Sequence, residues 1–185
     1  MSLLDIRQGI ADNLQAHLNE LGLSVVNVHV HAGRFDVEEL QKISAKAPAV
    51  FLACMGLADA DDSNHAGITG KTAWAAIVVT KDTPKAMRDE YALSLVNALL
   101  LHIPGNEWSL DATTGRPEKI NGRNLYSAKT QKFGIALWGV TWQQNFSIGG
   151  LGDPATLHTF DIWHADHQLA DGHEPAATDH YQYPG

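Results

Sequence analysis

This 185-residue chain holds one cysteine, Cys54, so no disulfide can form within it. Cys54 lies in the apolar run from Ala49 to Leu57, and nothing beside it in sequence would lower its pKa. A buried structural thiol is the expectation, in a reducing or indifferent compartment such as a bacterial cytoplasm. Basic residues are scarce as well: 13 Lys and Arg against 21 Asp and Glu give a formal net charge of -8. A dedicated nucleic-acid binder, sequence-specific readers included, needs a basic stripe for the phosphates, so that class is set aside. Long apolar runs are missing too. The longest, Leu93 to Ile103, is interrupted by Ser94, Asn97 and His102 and falls well short of the ~20 residues of a membrane span. The opening MSLLDIRQGIADN has neither a basic n-region nor a long apolar h-region, so no secretory leader and no membrane partner are expected.

Catalytic strings are equally scarce. There is no G-x-S-x-G, no Cys with an evident base and no paired S-x-x-K. The segment HAGITGKT resembles part of a phosphate-binding loop, but His65 stands where the first glycine is required, and a strand pattern follows instead of a helix. The expectation is a protein without catalytic residues and without a cofactor.

What is present is an ordinary globular composition, 44% hydrophobic and 18% charged. A single domain of this length can bury roughly 70% of its unfolded surface. Leu3, Ile6, Ile10, Leu14, Leu18 and Leu21 fall at helical spacing, with Ser2 and Asp5 as a start signal and Gly22 as a stop. Val26, Val28 and Val30 alternate with Asn27, His29 and His31, predicting a half-buried strand. Asp36 and Glu39 make a capping-box pattern for a short helix carrying Val37, Leu40 and Ile43, closed by Pro48. AVFLACMGL predicts a strand in the centre of a sheet, 59–70 a polar loop, and TAWAAIVVTK (72–81) a further strand. Pro84 is placed to open a long helix through Met87, Tyr91, Leu95, Leu99 and Ile103. An irregular, turn-rich stretch is expected up to Asn124. Then 133–146 predicts a long strand with Trp138, Val140 and Trp142 on one face and Ile135 and Leu137 on the other. The order describes an α+β domain over residues 1–148, a mixed, mainly antiparallel sheet flanked by helices. Residues 149–185 change character: six acidic residues, five histidines and no Lys or Arg mark a C-terminal extension expected to pack only in part.

Three groups of residues look chemical. In the extension, His158, Asp161, His164 and His167 could supply metal ligands, since the i, i+3 spacing of His164 and His167 aims two imidazoles at one ion if the segment is helical. Such a set would suit a metal-dependent hydrolase, but no H-E-x-x-H string is present, and solvated histidines explain the composition as well. His29 and His31 share one face of their strand, which alternation on a half-exposed strand produces without any ligand role. Arg116, Lys119, Arg123, Lys129 and Lys132 gather five positive charges against Glu118 alone. Either this is a solvated loop, or it complements an acidic neighbour such as another subunit's tail. Head-to-tail contacts in a ring require two different, complementary surfaces of this kind. Of the five tryptophans, Trp163 is the candidate interface anchor, because it sits in the polar extension where little core exists to receive it.

Four strings in order, HAGRFDVEELQKISAKAPAVFLACMGL (31–57), TAWAAIVVTKD (72–82), ALSLVNALLLHIPGNEW (92–108) and GRPEKINGRNLYSAKTQKFGIALWGVTWQQ (115–144), resemble the tail-terminator proteins of Mu-like phages and prophages. The likeness covers nearly the whole chain and fades from about residue 150. It implies an α+β fold and a structural protein of a contractile virion tail. Such a protein caps the tail tube at its head-proximal end, as a ring of six copies made in the host cytoplasm, and joins it to the head. Its implied partners are its own copies, the tail tube protein and the connector or neck protein; no catalytic residues come with the family. Another neck or tail morphogenesis role shares the same size and assembly logic.

Overall fold

A computed structural model of the chain describes residues 1–33, 37–62, 67–125 and 132–149, and the backbone of 162–167 and 177–182. The chain divides into two compact units, Met1–Gly150 and Leu151–Gly185. The first opens with α1 (Leu3–Glu20), which begins where the sequence signals it. The Ser2 hydroxyl accepts from the Asp5 N–H at 3.2 Å, and the Asp5 carboxylate accepts from the Ser2 N–H at 2.9 Å, so two otherwise orphaned donors are satisfied. At the other end Gly22 takes φ +75°, the Leu23 N–H reaches back to Leu18 O and the Gly22 N–H to Asn19 O. This is the Schellman closure that only glycine enters without strain. Ile6, Ile10, Leu14 and Leu18 are wholly buried, as the helical spacing predicts, while at the ends of the predicted stripe Leu3 is half-buried and Leu21, the C-cap, is exposed.

The sheet holds five strands in the order β1-β2-β3-β5-β4: β1 (Asn27–Val30), β2 (Ala49–Asp62), β3 (Ile68–Lys81), β4 (Glu118–Asn124) and β5 (Ile135–Ile148). β1 runs parallel to β2, with α2 (Val37–Ala45) between them in the chain; the other pairs are antiparallel. The fold is therefore α+β with a mixed, mainly antiparallel sheet and flanking helices. Strand alternation divides its side chains between two clusters. Val50, Leu52, Trp74, Ala76, Val78, Val140, Trp142 and Phe146 face α1 and α3 (Arg88–His102). Phe51, Ala75, Ile77, Val79, Ile135 and Leu137 face Leu40 and Ile43 of α2. The two-sided reading of β5 holds residue for residue.

Five expectations are corrected. The polar loop at 59–70 is mostly strand, because β2 runs on to Asp62 and β3 starts at Ile68; each adds rungs to a ladder already seeded by the apolar part. β2 is central only from Ala49 to Leu52, where β1 pairs with it; beyond Leu52 no other described strand joins that side. Pro84 does not open α3, which starts four residues later at Arg88. Thr83 instead closes a turn on Ala86 through backbone and hydroxyl, and the Asp82 carboxylate accepts from the Arg88 N–H at 2.8 Å. The stretch up to Asn124 is not wholly irregular, since it ends in β4. Cys54 is half-buried, with Sγ 3.9 Å from Gly56 O, because its part of β2 is the part β1 does not cover. The Asp36 half of the capping box lies outside the described residues.

The irregular stretch between α3 and β4 is held by polar side chains that also reach β5. Gln144, 1% exposed, donates to Asn106 O at 3.1 Å and Gly115 O at 2.9 Å and accepts from the Trp108 indole at 2.6 Å. Asn106 in turn accepts from the Trp108 N–H and donates to Asn13 Oδ1 on α1. A stretch without helix or strand thus has buried hydrogen-bond partners, which is the condition for burying it at all.

The second unit shows an antiparallel pair, β6 (Ile162–His167) and β7 (Ala177–Gln182), with Trp163 opposite Tyr181 and His164 opposite His180. β6 is extended, so the helical condition on which pairing His164 with His167 depended is not met.

Candidate assembly surface

β4 is an edge strand with one neighbour, β5. Its inward positions are Ile120, half-buried against the larger cluster, and Gly122, where an added Cβ would lie 3.4 Å from Leu100 and 3.6 Å from Val96 of α3. Its outward positions are Lys119, Asn121 and Arg123, all exposed. Arg116, two residues before the strand, and Lys132, after it, are exposed too; Lys129 lies outside the described residues. Glu118 is partnered, 3.4 Å from Lys71. Lys119 itself sits at φ +51°, in an irregularity of register between Glu118 and Asn121. A bulge of this kind interrupts an edge that would otherwise template indiscriminate pairing.

The far side of the sheet repeats the device with the opposite sign. On the uncovered length of β2, Ala58–Asp61 is exposed, the register shifts between Ala58 and Asp61, and Asp59 sits at φ +50°. Among the described residues neither Asp59 nor Asp61 meets a cation. Met55, 53% exposed, stands on the same length of strand. The acidic and basic ends lie at one level. Ala58 pairs with Lys71, Lys71 with Asn145, and Asn145 O accepts from the Thr114 N–H at 3.1 Å, next to Gly115 and Arg116. One row across the sheet therefore runs from Ala58 to Thr114, with Asp59 next to one end and Arg116 two residues past the other.

The other candidates are occupied or lie outside the described residues. His31 accepts at Nδ1 from the Gly33 N–H and meets Glu39 Oε1 through Nε2, each at 3.0 Å, so both ring nitrogens are engaged. That hydrogen bond first, and then Lys42, holds the Glu39 carboxyl below the usual carboxylate range. His29 stacks on Phe51 at 5.3 Å; burial first, and then the nearby Lys46, holds its imidazole below the ordinary value. The two histidines thus pack on one phenyl ring without converging on an ion. His158, Asp161 and the side chains of Trp163, His164 and His167 lie outside the described residues. Among the described residues no three His, Cys, Asp or Glu side chains form a metal-sized group, and no helix is long and apolar enough to cross a membrane.

Three hollows mark the first unit. Val25, Pro48, Pro84, Ala86 and Tyr91 line an apolar groove of ≈ 500 Å³, and Met1, Asp5, Asp111, Ala112 and Ser147 a polar one of ≈ 490 Å³. A smaller hollow of ≈ 190 Å³ lies on the sheet between Met55 and Lys119. Comparison with protein-family models and with curated proteins finds no match for this chain. Sequence reasoning identified the basic group and missed its acidic counterpart, because Asp59 and Asp61 read as loop.

Proposed function

We propose that this chain is a structural subunit of a contractile virion tail, a terminator that caps the tail tube as a closed ring and presents a surface for the head. It acts by assembling, without turning over a substrate. The observation that carries the reading is where the resembling strings fall: on α2 and the first half of β2, on β3, on α3, and on β4 with β5. They fall on four of the five strands of the sheet and on α2 and α3, with α1 and β1 outside them. That is the pattern of a shared scaffold and not of a local motif.

Ring closure needs a subunit whose two sides differ and complement each other. This sheet ends in a basic edge on one side and a partly uncovered, acidic strand on the other. One ring face matching the tube and the other not matching would stop further addition. The test is the mass of the purified protein by size-exclusion chromatography with light scattering, over a range of concentrations and with tail tubes added. A six-membered ring is the expected result, alone or on the tube end. A chain that stays monomeric in both settings overturns the reading.

A further inference from the structure

We propose that neighbouring copies of this chain join head to tail, the uncovered length of β2 in one copy lying against β4 of the next, with Asp59 and Asp61 opposite Arg116 and Lys119. The proposal rests on the ring reading above and names the contact that closes the ring.

Among the described residues no strand pairs with the outer side of β4, and none with that of β2 past Leu52, where Gly33 still lies beside Ala53 and Met55. Exposed edges invite any other edge, and proteins blunt them with bulges and charge. Here each edge carries a bulge, and each bulge holds a charged residue at positive φ, Asp59 at +50° and Lys119 at +51°. Unpaired edges that served only to repel would need no particular sign. These differ in sign, so acid against acid and base against base are both disfavoured, and acid against base is the pairing left. Charge of this kind chooses orientation and partner more than it supplies strength. Strength would come from covering Met55 and from main-chain hydrogen bonds between the regular lengths of strand beside the two bulges.

The level of the charges decides what such a contact builds. Asp59 adjoins one end of the row from Ala58 to Thr114 and Arg116 lies two residues past the other, so the contact sets a neighbour with little shift along the strands. A heterologous contact with no shift closes into a ring, and one with a shift climbs into a filament. The same feature disfavours a two-fold dimer through either edge, which would set like charges together.

Two charge-reversed variants test the contact: Asp59→Lys with Asp61→Lys, and Arg116→Glu with Lys119→Glu. Light scattering reports the mass of each variant alone, of their equimolar mixture and of the unmodified chain, under the conditions in which the unmodified chain assembles. Far-UV circular dichroism follows the fold. Loss of the ring in each variant alone, with its return on mixing, is the expected result. In the mixture each reversed edge meets its reversed complement, and copies must alternate. Return on mixing also shows that both variants are folded. If both variants assemble alone as the unmodified chain does, or if mixing restores nothing, this contact is wrong while the ring reading stands. If the unmodified chain forms no ring even with tail tubes, the ring reading falls and takes the contact with it.

Discussion

Gln144 is the residue on which the irregular part of this fold turns, and in sequence it is one polar letter at the end of WQQ. Its side chain is buried, and it satisfies the indole of Trp108 and the carbonyls of Asn106 and Gly115. Replacing Gln144 with Leu keeps the volume and orphans all three. A loss of about 3 kcal/mol in unfolding free energy is expected, read as a lower urea midpoint at unchanged slope, since each buried orphan costs roughly 1–3 kcal/mol. Two histidines set a pH dependence. His102 stacks on His17 at 3.8 Å, and its Nε2 lies 2.8 Å from Asn13 Oδ1 and 2.9 Å from Asn106 Nδ2. Burial first, and then the neighbouring His17, holds its imidazole below the ordinary value, while Glu20 acts the other way; burial does the same to His29. As pH falls the unfolded chain takes up these protons first. The stability these neutral rings support is therefore complete above about pH 6.5 and is lost as pH drops through the ordinary histidine range toward the lower folded values. Thermal unfolding at pH 7.5 and 5.5 should show a lower Tm at 5.5, and His102→Gln should reduce the difference. Glu39, held below its usual range, contributes in a separate and more acid window.

Helix ends show how far local chemistry reaches. The start and stop of α1 were legible because Ser2, Asp5 and Gly22 satisfy their own helix's orphan groups with neighbours in sequence. Ser2→Ala should lower stability by about 1 kcal/mol, the usual cost of losing an N-cap, measured by urea unfolding. The start of α3 was not legible. Pro84 suits a first helical turn, yet Thr83 holds it in a turn ahead of the helix, and the donor at Arg88 is satisfied by Asp82, six residues back. β4 was not legible either. Its only apolar residue is Ile120, and Gly122 counts as an inward position because α3 approaches it, a fact of packing that no alternation pattern carries. The outer halves of β2 and β3 are strands for a related reason. Polar residues there extend a ladder begun by apolar ones, so pairing overrides composition.

At the scale of the whole molecule the buried side chains of the first unit form two clusters on the faces of one sheet, and every described member of both lies within Met1–Gly150. A chain ending at Gly150 should therefore still unfold cooperatively, with Tm within a few degrees of the full chain, in a calorimetric comparison. The excess of acid over base is not spread evenly, since 149–185 holds six acidic residues and no Lys or Arg. Within the first unit, too, opposite signs occupy opposite sides of the sheet, which is the distribution a self-assembling subunit needs and an average surface does not have.

By itself the sequence determined the α+β class, the buried face of α1, both faces of β5 and the existence of a basic cluster. Each of these is written in the spacing of neighbouring residues, within one helical turn or one strand. Tertiary structure alone decided that β2 loses its strand neighbour past Leu52, that Lys119 and Arg123 lie on an edge strand, and that one row joins Ala58 to Thr114, beside Asp59 and close to Arg116. Those facts depend on which strands lie side by side. Strand order is set by how the covering helices and their apolar faces pack, between residues far apart in the chain, and leaves no local signature to read.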